Sequence, residues 1–231
     1  MKEHLVALLR QLHVARPPRD SAPPQEYFTR FYRRNSWGGH ASRSGPGSEG
    51  ARAEQKIHIL EEIIAQFEIA SILDFGCGDF YWMKESVRPP LRYHGVDVVK
   101  QLIQQNEKRF SNPAISFQCL DLSDSADQKK LAVRTADMVV CLDIFGHLLN
   151  HEVTSLLQFI FDDLAVKFFL VTNRREETSA DYLARPKTRS EGIDLELHPL
   201  FRARHSKRVK QIAALHPNDY FDLYELHAFG S

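Results

Sequence analysis

The chain has 231 residues, 43% of them hydrophobic, and its 30 lysines and arginines balance 30 aspartates and glutamates. That length suits one globular domain with a sizeable core and room for a small appendage. A formal charge of zero excludes a global attraction to nucleic acid or to an anionic membrane, so any basic patch has to be local.

In chain order, the N-terminal MKEHLVALLRQLH places Leu5, Leu8, Leu9 and Leu12 at helical spacing before Pro17, Pro18, Pro23 and Pro24 stop regular structure. Arg10 and His13 break its apolar stretch, no small-residue cleavage site follows, and no run reaches the ~18 apolar residues of a membrane span. A cytoplasmic protein is expected. From Tyr27 to Tyr32 aromatics alternate with arginines, and Arg30, Arg33 and Arg34 make a locally basic arm, read as solvated or as a partner surface. Residues 35–50, NSWGGHASRSGPGSEG, read as a loop rich in Gly and Ser. Ser48 and Glu49 suit an N-cap and first turn, and Ile57, Leu60, Ile63, Ile64 and Phe67 then share one face, which predicts a helix over about 49–67. Residues 1–48 are therefore expected to form a helix, basic arm and loop ahead of a domain spanning 49–231.

From Ser71 the rhythm changes. Apolar runs at 71–75, 93–99, 115–120, 137–145 and 167–173 predict strands, most of them too continuously apolar for a half-exposed sheet. Helical patterns at 99–110 and 151–163 alternate with them, predicting an α/β fold with a largely parallel sheet covered on both faces. Tyr220–Phe229 alternates more and reads as an antiparallel edge. Residues 174–210 read as an irregular, charged insertion or cap. The three cysteines, Cys77, Cys119 and Cys141, are odd in number and lack Cys-x-x-Cys spacing, so buried thiols are expected rather than disulfides or a zinc site.

The chemistry concentrates in SILDFGCGDFYWM, residues 71–83. A glycine turn at the carboxyl end of the first strand of a parallel sheet lets backbone N–H groups approach a ligand closely, which fits Gly76 and Gly78. A dinucleotide fingerprint needs a third glycine where this chain has Tyr81, and no Gly-Lys-Ser/Thr ending makes a P-loop. What remains is a nucleoside cofactor without phosphates. Asp97 ends the second strand 19 residues after Gly78, where a carboxylate can accept from both ribose hydroxyls. Asp121 ends the third strand, where it would lie beside an adenine edge. Singly, Asp74, Asp97 and Asp121 suit caps or turns equally well; together they line one rim of the sheet.

DFGCG, YHGVDVV, CLDLSD and ADMVVCLDIFGHL, in that order over 71–173, resemble the successive motifs of class I S-adenosylmethionine-dependent methyltransferases. SRSGPGS and GCGDFYWM also resemble a smaller set of bacterial methyltransferase-domain proteins. The resemblance implies a Rossmann-like, doubly wound sheet of seven strands and S-adenosyl-L-methionine as cofactor. It implies that Gly76 and Gly78 turn beneath the methionine part, with Asp74 near its ammonium. It further implies that Asp97 holds the ribose with Val98 against the adenine, that Asp121 and the Leu122 N–H meet the adenine edge, and that Asp143 to Phe145 face the methyl group. Asp79 and the aromatic run Phe80–Trp82 depart from the small residues many relatives have there. Arg43, in a loop made supple by Gly45 and Gly47, could reach the cofactor carboxylate or belong to a plain linker.

A sulfonium-borne methyl group needs an acceptor held in line and, for a hydroxyl, a base; no metal is required. His147 is the candidate base because imidazole titrates near working pH, although a structural strand-end histidine fits as well; Asp143 stands beside it. His151 reads as a helix cap or a participant. Asp143-Ile-Phe145 stands where nucleobase amino methylation wants Asn or Asp before Pro-Pro and an aromatic. Cys141 lies inside a strand rather than after a proline, and no paired glutamates suit arginine methylation. The surviving reading is O-methylation of a small molecule or glycan. Arg185, Lys187, Arg189, Arg202, Arg204, Lys207, Arg208 and Lys210 form either a solvated basic face or a seat for an anionic acceptor. An RNA methyltransferase and a catalytically silent cofactor-binding scaffold are the alternatives; the oligomeric state is left open.

Overall fold

The structure, a computed structural model, describes residues 22–175, 193–203, 207–216 and 218–226. The predicted N-terminal helix, Arg185, Lys187, Arg189, Arg204 and the end of the last predicted strand lie outside the described residues.

Helix α1 (Pro24–Arg34) comes first, followed by a 3-10 turn at Pro46–Ser48 and helix α2 (Gly50–Gln66). Strand and helix then alternate through β1 (Ser71–Phe75), α3 (Met83–Ser86), β2 (Arg92–Asp97), α4 (Lys100–Phe110), β3 (Ile115–Cys119) and α5 (Ser125–Gln128). The chain continues through β4 (Thr135–Cys141), a 3-10 turn at Phe145–His147, α6 (Asn150–Asp162) and β5 (Ala165–Arg174). It ends with α7 (Pro199–Ala203), β6 (Lys207–Ala213) and β7 (Asp219–Glu225). The seven strands form one sheet in the order β3-β2-β1-β4-β5-β7-β6, parallel except that β7 runs against β5 and β6. Chain order reverses between β1 and β4, the crevice where ligands of doubly wound sheets bind.

Alternation along the central strands explains the two-sided core. In β4 and β5, Met138, Val140, Phe168 and Leu170 face one cluster with Leu60 and Ile63 of α2 and Ile103 of α4. Val139, Cys141, Phe169 and Val171 face the other, with Leu156, Leu157 and Ile160 of α6. Asp74 interrupts this alternation in β1, a carboxyl at a position whose neighbours Leu73 and Phe75 are core.

Three local readings change. The basic arm is helix: Pro24 fits its first turn, Tyr27 and Tyr32 are buried, and Asn35 closes it in the left-handed region. Helix α2 takes Glu49 rather than Ser48 as its N-cap, because Ser48 is spent in the 3-10 turn. Its carboxylate instead accepts the N–H groups of His40, Ala41 and Ser42. The last strand is antiparallel but interior: β6, which begins inside the segment read as irregular, is the edge. Its alternate side chains are charged or polar and mostly exposed, which suits an edge strand and hides it from an apolar pattern. Among the described residues no helix is long and apolar enough to cross a membrane.

Candidate active site

A cavity of about 460 Å³ opens at the carboxyl ends of β1, β2, β3 and β4. Its floor is the turn after β1. Gly76 and Gly78 adopt φ +71° and +56°, and a Cβ on them would stand 2.2 Å from Ile144 Cγ2 and 2.3 Å from Ser44 Oγ respectively. Only glycine fits either position. The turn is locked from two sides: the N–H groups of Gly76 and Cys77 donate to Val96 O, and the Gly78 N–H donates to Asp97 Oδ2 at 3.1 Å.

Asp97 also accepts from the Val99 N–H at 2.9 Å; burial pushes its pKa up while these amides pull it down, and burial wins. Asp74 is 5% exposed and accepts from Tyr93 Oη at 2.6 Å. Burial pushes its carboxyl up to about 7 against the opposing pull of that phenol, with Asp97 adding to the rise. Asp121 accepts from the Ser123 N–H and Oγ, and its pKa is likewise raised by burial. Val98 and Leu122 line the same cavity. The carboxylates predicted along one rim are thus brought together.

Loop 42–48 closes over the glycine turn, and Asp79 is its anchor. The Asp79 carboxylate accepts from Ser42 Oγ, Ser44 Oγ and the Arg43 N–H, while its own N–H donates to Ser44 Oγ. This gives the unusual Asp79 a role that the sequence left blank. The same geometry turns Arg43 away: its guanidinium lies over the Tyr32 ring and donates to Tyr32 O, and it does not line the cavity. Two other guanidiniums do, Arg52 of α2 and Arg174 at the end of β5.

Asp143 sits just beyond β4 at φ +61°, its N–H donating to Thr172 Oγ1. Lys56 of α2, 4% exposed, donates to Asp143 Oδ2 at 2.6 Å and to Gly47 O at 2.8 Å, and its ammonium lies 5.5 Å from the Trp82 ring centre. Although the Asp143 side chain is 44% exposed to the cavity, the surrounding protein removes part of its water and acts to raise its pKa, but Lys56 prevails and holds it below the usual carboxylate range. Sequence reasoning missed Lys56, although a signal was present: with Ala53, Leu60 and Ile63 it lies on the buried stripe of α2, a lysine where spacing calls for an apolar residue.

His147 lines the cavity 6.3 Å from the Trp37 ring. Phe145 does not; it is buried in the second core cluster against Phe169. His151 is exposed on the second residue of α6, where Glu152, accepting from the Leu149 N–H, does the capping. In the basic segment, Arg208 pairs with Glu196 and Lys210 with Glu62 at 2.6 Å, which removes two of the cations read as an anion seat.

Residues 72–165, from β1 to the start of β5, match a family model described as a methyltransferase domain. No curated protein matches the sequence significantly. Among solved structures, the chain is similar to the N-methyltransferase NodS from Bradyrhizobium japonicum WM9 in complex with S-adenosyl-L-homocysteine. Identity is 13% over 86% of this chain and 97% of that one, with a TM-score of 0.61. It is also similar to magnesium protoporphyrin IX methyltransferase from Synechocystis PCC 6803 with bound S-adenosyl-L-homocysteine, at 15% identity, 87% and 96% coverage and a TM-score of 0.59. The methyltransferase domain of a bacterial Hen1 protein gives 15%, 75%, 98% and 0.55. Sheet order and structural likeness define the class of fold: the chain has the Rossmann-like fold of class I S-adenosylmethionine-dependent methyltransferases, and within it residues 72–165 match a methyltransferase domain.

Proposed function

We propose that this chain transfers the methyl group of S-adenosylmethionine to a hydroxyl of a small-molecule or glycan acceptor. The observation that carries the reading is the bare-backbone cradle at Gly76 and Gly78, opening into a cavity that His147 also lines. The residues fit the cofactor: a Cβ-free turn admits a close ligand, and raised carboxyls await hydrogen-bond donors and a cation. Asp97 would hold the ribose, Val98 and Leu122 would flank the adenine, and Asp121 would accept from its amino group. Asp74 would face the ammonium, and Arg52, in place of Arg43, would meet the carboxylate. Bound there, the cofactor supplies an electrophilic methyl group on its sulfonium.

The chain's own part is then to orient, exclude water and take a proton. Asp143, already paired with Lys56, is a weak base and serves as a positioning residue. His147 is the group proposed to accept the hydroxyl proton. Residues 22–48, as α1 and the anchored loop, act as a cover over a domain that starts at residue 49. Incubating the protein with methyl-labelled S-adenosylmethionine and fractionated extract tests the reading. Alkali-stable label in a hydroxylated metabolite or glycan is expected; label in RNA, protein or amines alone overturns it.

A further inference from the structure

Besides Asp143 and His147, the lining of the cavity includes two unlike groups of side chains, an aromatic wall and a polar one. One wall is aromatic: Phe28 of α1 and Trp37 are nearly parallel, 17° apart with ring centres at 6.4 Å, and both line the cavity. The other is polar: Arg174, at the end of β5, donates from Nε to Asp219 Oδ1 at 2.6 Å and from Nη2 to Oδ2 at 3.1 Å. His216 Nδ1 lies 3.2 Å from both Arg174 Nη2 and Asp219 Oδ2, and all three residues line the cavity.

Resting on the methyltransferase reading above, we infer that these lining residues form an acceptor subsite for a neutral sugar. Its pyranose face would lie on Trp37 and Phe28, and neighbouring hydroxyls would meet Arg174, His216 and Asp219. Charge argues for neutrality. Asp143 is paired with Lys56 and Asp219 is held in a two-bond fork by Arg174, so an anionic or cationic acceptor would have to break an ion pair to gain one. Polar density argues for a polyol. A guanidinium offers donors and a carboxylate offers lone pairs side by side, the complement of adjacent hydroxyls that both give and accept. A phenolic ring would stack on Trp37 equally well, yet its single oxygen would leave most of that group without a ligand partner. Arg174 and Asp219 also pair across the β5–β7 register, so a purely structural role has to be separated from binding.

Only two tryptophans are present, so Trp82→Phe leaves Trp37 as the reporting indole. In that background, loaded with S-adenosyl-L-homocysteine, a panel of neutral methyl hexopyranosides is titrated beside catechol and a hexose phosphate. A saturable change in Trp37 emission with at least one glycoside is expected, weakened by about tenfold in Asp219→Asn. With methyl-labelled S-adenosylmethionine the same glycoside should take up label. Trp37→Tyr should keep its KM, while Trp37→Ala should raise it about tenfold, both with unchanged calorimetric affinity for S-adenosyl-L-homocysteine. A response to catechol or hexose phosphate but to no glycoside overturns the inference, as does a KM indifferent to Trp37→Ala. Loss of S-adenosyl-L-homocysteine binding by the unaltered chain overturns the methyltransferase reading instead.

Discussion

Asp74 turns its surroundings into a measurable proton. Its carboxyl, raised to about 7 chiefly by burial, is half protonated at neutral pH. Because the folded pKa lies above the ordinary carboxylate value, this group favours the folded state below about pH 4 and loses that contribution as pH rises through 7. A cofactor ammonium beside it would restore the charged form, so binding should release about half a proton at pH 7, more near pH 6 and none above pH 9. Calorimetry in buffers of different ionisation enthalpy measures this, and Asp74→Asn should abolish the release. At the adjoining turn, Gly78→Ala must hold a positive φ and displace Ser44. A loss of about 1–3 kcal/mol in thermal unfolding is expected, with cofactor affinity falling about tenfold or more. These residues were legible in the sequence because strand-end glycines and aspartates carry position as well as identity. Arg43 was not, because a basic residue in a loop has no periodicity to say which way it points.

At the scale of elements, α2 links the loop before the domain to the loop after β4 through one lysine. Lys56→Met separates folding from function there. Asp143 is 44% exposed to the cavity, so water can hydrate it once the ammonium is gone, and Met fills the vacated stem. Stability should change by less than about 1 kcal/mol, whereas kcat/KM should fall at least about tenfold as the strained Asp143 loop drifts. The outer hairpin offers the opposite case. Asp222, 0% exposed in β7, accepts from Asn173 Nδ2 and Gln211 Nε2 at 2.7 Å each and lies 3.6 Å from Arg175 Nη2. Asp222→Ala strands those donors and should cost about 3 kcal/mol, a fall of roughly 10 °C in Tm by calorimetry. The central strands were readable because burial on both faces makes them continuously apolar. Strand β6 was not, since an edge paired on one side through β7 needs little apolar patterning, and Arg208 and Lys210 disguise it as a basic loop.

For the whole molecule, the family match starts at β1, yet the cavity is finished by parts outside it: α1, the Asp79-anchored loop, α2 and the β6–β7 turn. Sequence motifs pointed to the cofactor half because its needs fall on consecutive strand ends. The acceptor half is assembled from residues as distant as Phe28 and Asp219, a juxtaposition that only the fold creates. Cofactor and acceptor should consequently respond to different substitutions, and the cofactor half can be tested alone. Isothermal titration with S-adenosyl-L-homocysteine and with NAD, on the unaltered chain and on Asp97→Ala, is the most direct measurement. The account predicts saturable one-to-one binding of S-adenosyl-L-homocysteine that weakens at least about a hundredfold in Asp97→Ala, with no binding of NAD. Binding of NAD alone, or an affinity for S-adenosyl-L-homocysteine untouched by Asp97→Ala, would contradict it.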